Sequence, residues 1–263
     1  MEGPAKEAKH VTEAVYPRLL HAGDTCVVVE FGDTIDMAVN SRMQALKERL
    51  SRSGLSCIRE LIPTYRSVAV YFDPDAVDPK RFLNMLEEMS RSEGTSSAER
   101  TTGVVIPVCY GGEFGPDIAN VAAHTGLTED EIVRRHAGTD CYCYMLGFTP
   151  GFAYLGGMDE TLATPRLKEP REKIPTGSVG VAGKQTGIYP IESPGGWQLI
   201  GRTPLRMFDP RRSAPTVIEA GMWVRFRPVD HAEYDRLAAL ANKGDVVVER
   251  FTRESRPEER KRT

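Results

Sequence analysis

Apolar positions along the chain follow two rhythms, and the change between them divides it. Val27-Val28-Val29-Glu30-Phe31 reads as a strand stopped by Gly32-Asp33. Ile35, Val39, Met43, Leu46 and Leu50 then recur every three or four residues, one face of an amphipathic helix that Asp33 or Thr34 would cap. Cys57–Ile62 and Ser67–Phe72 are two further strands about the turn Pro63-Thr64-Tyr65. Phe82, Met85, Leu86 and Met89 form a second helical stripe behind Asp78-Pro79, a helix-start pair. With Val104–Val108 as the fourth strand the order is βαββαβ, that of a ferredoxin-like unit. A strand at Arg18–His21 is the alternative, as an added edge.

Ser90–Thr102 is polar and without period, so a mobile joint between domains is expected there. Two short helices follow. Pro116 starts the first, with Ile118, Val121 and Ala122 inward and Gly126 as its stop. Thr128-Glu129-Asp130-Glu131 is a capping box that opens the second, which runs to about His136-Ala137-Gly138. Beyond Tyr142 the rhythm changes. Between Gly147 and Pro204 lie eleven of the chain's 24 glycines and seven of its 18 prolines. They alternate with short apolar runs at 152–155, 179–182, 188–191 and 197–200, as in a closed or sandwiched β unit with tight turns. Val217-Ile218 and Met222–Phe226 close that region. His231–Asn242 is a helix with Tyr234, Leu237 and Leu240 inward, Val246–Val248 a last short strand, and TRESRPEERKRT a charged tail expected to be disordered. The expected division is 12–100, 101–230 and 231–263.

Composition narrows the function more than the fold. At 263 residues, 40% hydrophobic and 27% charged, the chain is long enough for one large or two small cores. Its net charge of −3, with the signs interspersed, argues against a nucleic-acid surface. No apolar run nears the ~18–20 residues that span a bilayer, and MEGPAKEAKH lacks a signal-peptide core, so a cytoplasmic protein is expected. Five cysteines without metal-ligand spacing read as reduced core residues, and no metal site is expected.

Few side chains carry recognisable chemistry. GSVGVAGK at 177–184 imitates a phosphate loop, but Ser178 stands where the first glycine belongs and Gln185 follows Lys184 in place of Ser or Thr. Lys184 suits an anionic ligand as a point charge or, more blandly, a solvated turn. His124 and His136 fall on the short helices and are expected at the surface or at caps. Polar residues set among the glycine turns are the better candidates for a loop-lined cleft. Arg202, held between Gly201 and Thr203-Pro204, suits two-pronged capture of a carboxylate or phosphate. Gln185 offers both halves of an amide, suited to reading an amide or lactam. Tyr189 and Phe152 can wall the cleft. Glu192 can orient Arg202 or accept a proton, and the two equally suit an ion pair stitching two turns together.

Three separated stretches, IPVCYGGEFGPD, GFTPGFAYLGG and KQTGIYPIESPGGWQLIGRTP, resemble the carboxyltransferase-related family. That family includes 5-oxoprolinase B subunits, allophanate hydrolase subunit 1 and an inhibitor of the sporulation histidine kinase. The resemblance runs from about Arg18 to Pro228. It implies an α+β chain with an N-terminal ferredoxin-like α/β domain followed by a cyclophilin-like β-barrel domain. It also implies work in company: a related companion subunit, a third subunit, and ATP with Mg2+ in an assembly that opens 5-oxoproline to L-glutamate. The single chain would then be inactive alone. The resemblance admits two other roles, a non-enzymatic kinase inhibitor and a carboxyltransferase part of a urea-degrading system. The latter needs a biotin carrier, and this chain has no Ala-Met-Lys-Met.

Overall fold

The computed structural model describes residues 15–92, 102–244 and 248–253. The chain divides into two compact units between residues 94 and 95. Most of the segment expected as a joint, 93–101, lies outside the described residues, as do the first fourteen residues and the tail from 254.

The first unit runs β1 (Arg18–His21), β2 (Cys26–Glu30), α1 (Met37–Arg52), β3 (Ile58–Pro63), β4 (Ser67–Phe72), α2 (Pro79–Arg91). Its strands form one antiparallel sheet in the order β1-β2-β4-β3. This is the ferredoxin-like arrangement with one exchange. The edge beside β2, which a strand after α2 would fill, is taken by β1 from the N-terminal side. The alternative strand at Arg18–His21 is therefore the fourth strand, and Val104–Val108 belongs to the second unit. Val27, Val29, Val68 and Val70 turn to the helices, where Met43, Leu46, Leu50, Phe82 and Leu86 complete the core. Helix α1 begins two residues later than its apolar rhythm suggests. Asp36 is extended and its carboxylate accepts from the amides of Ala38 and Val39 at 2.8 and 3.3 Å, so Ile35 lies ahead of the cap and is exposed.

The second unit continues with β5 (Thr102–Tyr110), α3 (Ile118–Thr125), α4 (Glu129–Ala137), β6 (Cys141–Leu146), β7 (Ala153–Gly156), β8 (Arg171–Ile174), β9 (Ser178–Ala182) and β10 (Gln185–Ile188). It ends with β11 (Ser193–Gly195), β12 (Gln198–Arg202), β13 (Trp223–Pro228), α5 (His231–Lys243) and β14 (Arg250–Thr252). Seven strands close a barrel in the order β12-β9-β10-β7-β6-β13-β5, with β5 returning to β12. Strand β5 makes the closure. One edge pairs parallel with β13 over its whole length, and the other is shared between β14 at Thr102–Val104 and β12 at Cys109–Tyr110. A ribbon of β8 and β11 lies outside the barrel.

Alternation along the strands makes two cores from one wall. Val104, Ile106, Val108, Leu155, Val179, Val181 and Ile188 meet inside the barrel, with Ile118, Val121 and Ile132 from α3 and α4. Ala182, Leu199, Phe152, Tyr189, Trp197 and Ile174 form a second cluster that Tyr154 flanks. All five cysteines are free and buried, and burial pushes the Cys141 thiol up to about 12. Thr128 caps α4 as its sequence implies. Of the expected run 188–191 only Ile188 is in a strand, since Pro190 has no amide to give a ladder. Val217 and Ile218 are buried without strand pairing. The last strand is Arg250–Thr252; Val246 and Val247 lie outside the described residues, and Val248 is not in a strand.

Candidate functional site

The stretch CYGGEFGPD ends in the most constrained carboxylate of the barrel. Asp117, 3% exposed, accepts from the Leu199 amide at 2.7 Å through one oxygen and from the Arg171 guanidinium at 2.7 Å through the other. Its own amide bonds the Leu199 carbonyl at 2.9 Å, and Gly111 donates to Ile200 at 3.0 Å. Gly115 makes the approach possible, because a Cβ there would overlap the Ile200 carbonyl oxygen. Two of the three resemblance stretches thus meet as one stitched joint against β12. Sequence reading missed Asp117 because Pro116-Asp117 looks like a helix start, and no local pattern reveals a partner 82 residues away.

The third stretch makes the other candidate. β6 and β7 pair from Leu146↔Ala153, and residues 147–152 link them through two tight turns. The Thr149 amide bonds the Gly147 carbonyl at 2.7 Å around Phe148, whose φ of 63° lies in the left-handed region. A three-residue turn of that hand is rare and strained for an L residue. The Phe152 amide then bonds the Thr149 carbonyl at 3.0 Å around Pro150-Gly151, and Gly151 has φ 83°. Proline followed by positive-φ glycine is the chemistry of a type II turn. The loop is thereby rigid, and Phe148 is 60% exposed on it. Its ring meets Phe152 edge-on at 5.6 Å. Residues 146–151 line a shallow depression open to solvent, and the Thr149 hydroxyl is buried beneath the loop without a hydrogen-bond partner among the described residues.

Phe152 and Tyr189 do come together, with ring centroids 5.2 Å apart, joined by Trp197 at 5.5 Å from Phe152. Both are buried, so they form the floor under the loop and not the face of a cleft. Burial pushes the Tyr189 phenol up to about 12, and its hydroxyl packs over Gly195, where a Cβ would collide with it.

The remaining expected residues go elsewhere. Lys184 sits at the tip of the β9–β10 hairpin and pairs with Glu160 at 2.8 Å, both exposed. Gln185 opens β10 opposite Ala182 and is half-buried. Glu192 pairs with Lys173 at 3.6 Å, so the stitching pair with Arg202 is not formed. Arg202 is in β12, paired with Cys109 on one side and Ser178 on the other, and not in a turn. Its guanidinium lies over the Phe114 ring at 5.5 Å and hydrogen-bonds Tyr234 of α5, because the strand ladder directs it to that side.

His136 is corrected outright. It is 1% exposed, with Nδ1 2.7 Å from the Tyr110 hydroxyl and Nε2 2.8 Å from the Thr186 hydroxyl. Thr186 gives its one proton to the Gly180 carbonyl at 3.0 Å. His136 must then donate from Nε2 and accept the Tyr110 proton at Nδ1, a neutral ring. Burial pulls its pKa down to about 3.

The residues resembling a phosphate loop do not fit ATP. Ser178–Ala182 is a barrel strand and Gly183-Lys184 a two-residue hairpin loop, with no helix N-terminus behind it.

A closed seven-stranded barrel stitched by CYGGEFGPD, following a small α/β sheet, defines the class. The chain belongs to the family of the carboxyltransferase domain, subdomains C and D, which matches residues 17–218. Within it, the chain is 40% identical over 222 residues to the B subunit of 5-oxoprolinase from Bacillus subtilis (strain 168), covering 81% of this chain and 92% of that one. It is 41% identical over 209 residues to the B subunit of 5-oxoprolinase from Escherichia coli O157:H7, covering 78% and 93%. The crystal structure of K. lactis urea amidolyase superposes with a TM-score of 0.72 at 20% identity, covering 89% of this chain and 16% of that one. That last likeness is one of fold. No helix among the described residues is long and apolar enough to cross a membrane.

Proposed function

We propose that this chain is the B-type subunit of an ATP-dependent 5-oxoprolinase, which opens the lactam ring of 5-oxoproline to L-glutamate together with a related companion subunit and a third subunit. The observation that carries the reading is 40% identity to a 5-oxoprolinase B subunit along 92% of that protein's length. Urea amidolyase and urea carboxylase relatives stand at 23% and 22% identity and match this chain over 14% and 21% of their own length, which favours the 5-oxoprolinase reading over a urea-degrading role.

The chemistry then divides between chains. ATP and Mg2+ belong to the assembly, and the residues at 177–184 do not fit nucleotide phosphates, so no step through ATP is assigned to this chain. What this chain supplies is a rigid scaffold and a surface. Gln185 and Arg202 lie at opposite ends of β9, across from Ala182 and Ser178, and Arg202 is engaged with Phe114 and Tyr234, so they do not converge on one ligand and neither is assigned a contact to the lactam or its carboxylate. Phe152 and Tyr189 act as support beneath the loop; Lys184 and Glu192 are held in surface ion pairs. The test is co-expression with the two neighbouring subunits and assay of 5-oxoproline-dependent ATP hydrolysis. Turnover is expected from the three together and not from the isolated chain. Robust turnover by the isolated chain would sink the division, and none from the complete set would sink the substrate.

A further inference from the structure

Among the described helices α5 is held most lightly. Helices α1 to α4 each bury at least two residues, and α5 buries none. It lies between two pinned segments. Ahead of it the Val229 amide bonds the Val108 carbonyl at 2.9 Å, and behind it β14 pairs with the start of β5. At Asp230 and Gly244, its two caps, the chain leaves helical backbone. A segment with few buried apolar contacts belongs to the low-stability part of a fold, and element ends are where such a segment hinges.

Under α5 lies a guanidinium that no acid of the described residues neutralises. Ser178, Arg202 and Cys109 are in register on β9, β12 and β5, so they form one row on one face of the sheet. Their neighbours Val179 and Val108 point into the barrel, and the row therefore faces outward. Tyr234 of α5 hydrogen-bonds Arg202 and meets Phe114 at 4.3 Å between ring centroids, and the Arg202 guanidinium lies over that same ring. Among the described residues Arg202 pairs with no carboxylate, and its Nε is buried without an acceptor. A buried charge is ordinarily paired, because a phenol hydroxyl and a ring face return only part of the hydration that the guanidinium gives up. The closed helix thus leaves a positive charge unmet. Acids near the row stand mostly on the helix itself: burial first, then Asp230, Asp235 and Glu113, push the Cys109 thiol up. Raising α5 carries the first two of these acids away and uncovers Arg202. We propose that α5 is a lid over an oxyanion site. With the helix raised, Arg202 offers Nε and a terminal nitrogen side by side to a small anion that presents two oxygens, a carboxylate or a phosphate. Only the raised form binds, so the measured affinity is the intrinsic one reduced by the fraction of chains with the helix raised. Such a site works in the isolated chain and is independent of the proposed reaction.

The test titrates the full chain, at constant ionic strength, with 5-oxoproline as the carboxylate and separately with inorganic phosphate. The Arg202 Nε–H signal is followed in nitrogen–proton correlation spectra and identified by its loss in Arg202→Lys. A saturable shift is expected with at least one anion, and the anion that saturates at the lower concentration names the source. Amide exchange across 232–243 is expected to quicken as the anion saturates, since binding holds the helix raised. Tyr234→Phe keeps the ring on Phe114 and removes the hydrogen bond that holds the lid down. It is expected to bind the anion about 10-fold more tightly, the scale of one hydrogen bond to a charged group. Arg202→Lys keeps the charge, loses the two-pronged geometry and is expected to bind about 10-fold or more weakly. Where that variant does not fold, Tyr234→Phe and the exchange measurement decide alone. No shift with either anion overturns the site, as does undiminished binding by Arg202→Lys. Unchanged affinity in Tyr234→Phe, or exchange across 232–243 that stays the same or slows, overturns the lid and leaves Arg202 a structural clamp on α5.

Discussion

The two glycine-rich segments of the barrel unit, 109–117 and 147–152, look alike in sequence and end in opposite physical states. In the first, glycine removes a Cβ so that two backbones touch, and the buried carboxylate of Asp117 is sealed with both oxygens engaged. In the second, proline and glycine shape turns whose product is an exposed ring and an unmatched hydroxyl. Glycine density marks tight backbone geometry in both. What separates scaffold from surface is whether the polar and aromatic groups carried by that geometry have partners within the chain.

Substitution sharpens the contrast. The largest effect is expected at Gly115→Ala, whose Cβ meets backbone atoms that cannot rotate away. Overpacking of this kind costs about 3 kcal/mol, read as a shift in the urea midpoint; a shift under a third of that would mean β12 moves freely and the joint is loose. Asp117→Asn comes next. It removes the charge facing Arg171 and leaves one oxygen to serve the Leu199 amide, for a loss of about 2 kcal/mol, within the range for hydrogen bonds to charged groups. Against these, Phe148→Gly exchanges a strained residue for one at ease with positive φ and gives up an exposed contact, so stability should stay within about 1 kcal/mol. A large loss there would place the loop in the scaffold class.

His136 gives a pH dependence of known sign. Its folded pKa, about 3, lies below the ordinary value of 6.5, so between these limits the unfolded chain binds a proton that the folded chain refuses. Stability therefore falls as pH drops from about 6.5 toward 3. Thermal melts from pH 7 to 4 should show this for the native chain and a flatter dependence for His136→Gln. Equal slopes would mean that the buried ring is not the group responsible. The smallest effect is expected at Glu192→Gln, within about 0.5 kcal/mol, since its pair with Lys173 is exposed on both sides. A larger loss would restore a structural role for that carboxylate.

How much of the fold is legible in the chain depends on the reach of each signal. Periodicity places β2, β3, β4, α1 and α2 because each element is dictated by residues within one or two turns of itself. Capping chemistry places the start of α4 at Thr128 for the same reason. Period cannot say which sheet Val104–Val108 joins, because an apolar run fits either wall equally and only the parallel partner β13, more than a hundred residues on, decides.

The candidate site is legible in type and not in arrangement. Phe152 and Tyr189 read as a pair of walls, and they touch, but the alternation of β7 and the exit from β10 turn them into a buried floor. Arg202 reads as an aimed guanidinium, but the ladder with β5 and β9 aims it at Phe114 and Tyr234. His136 and Asp117 show nothing locally, since their burial is made by Tyr110, Thr186, Leu199 and Arg171 from elsewhere in the chain. Local sequence is enough to dictate the elements, the turn chemistry and, through three motif stretches, the family. Which of those motif residues are enclosed and which face outward is settled only when the barrel closes, because burial and hydrogen-bond partnership belong to distant segments brought together in space.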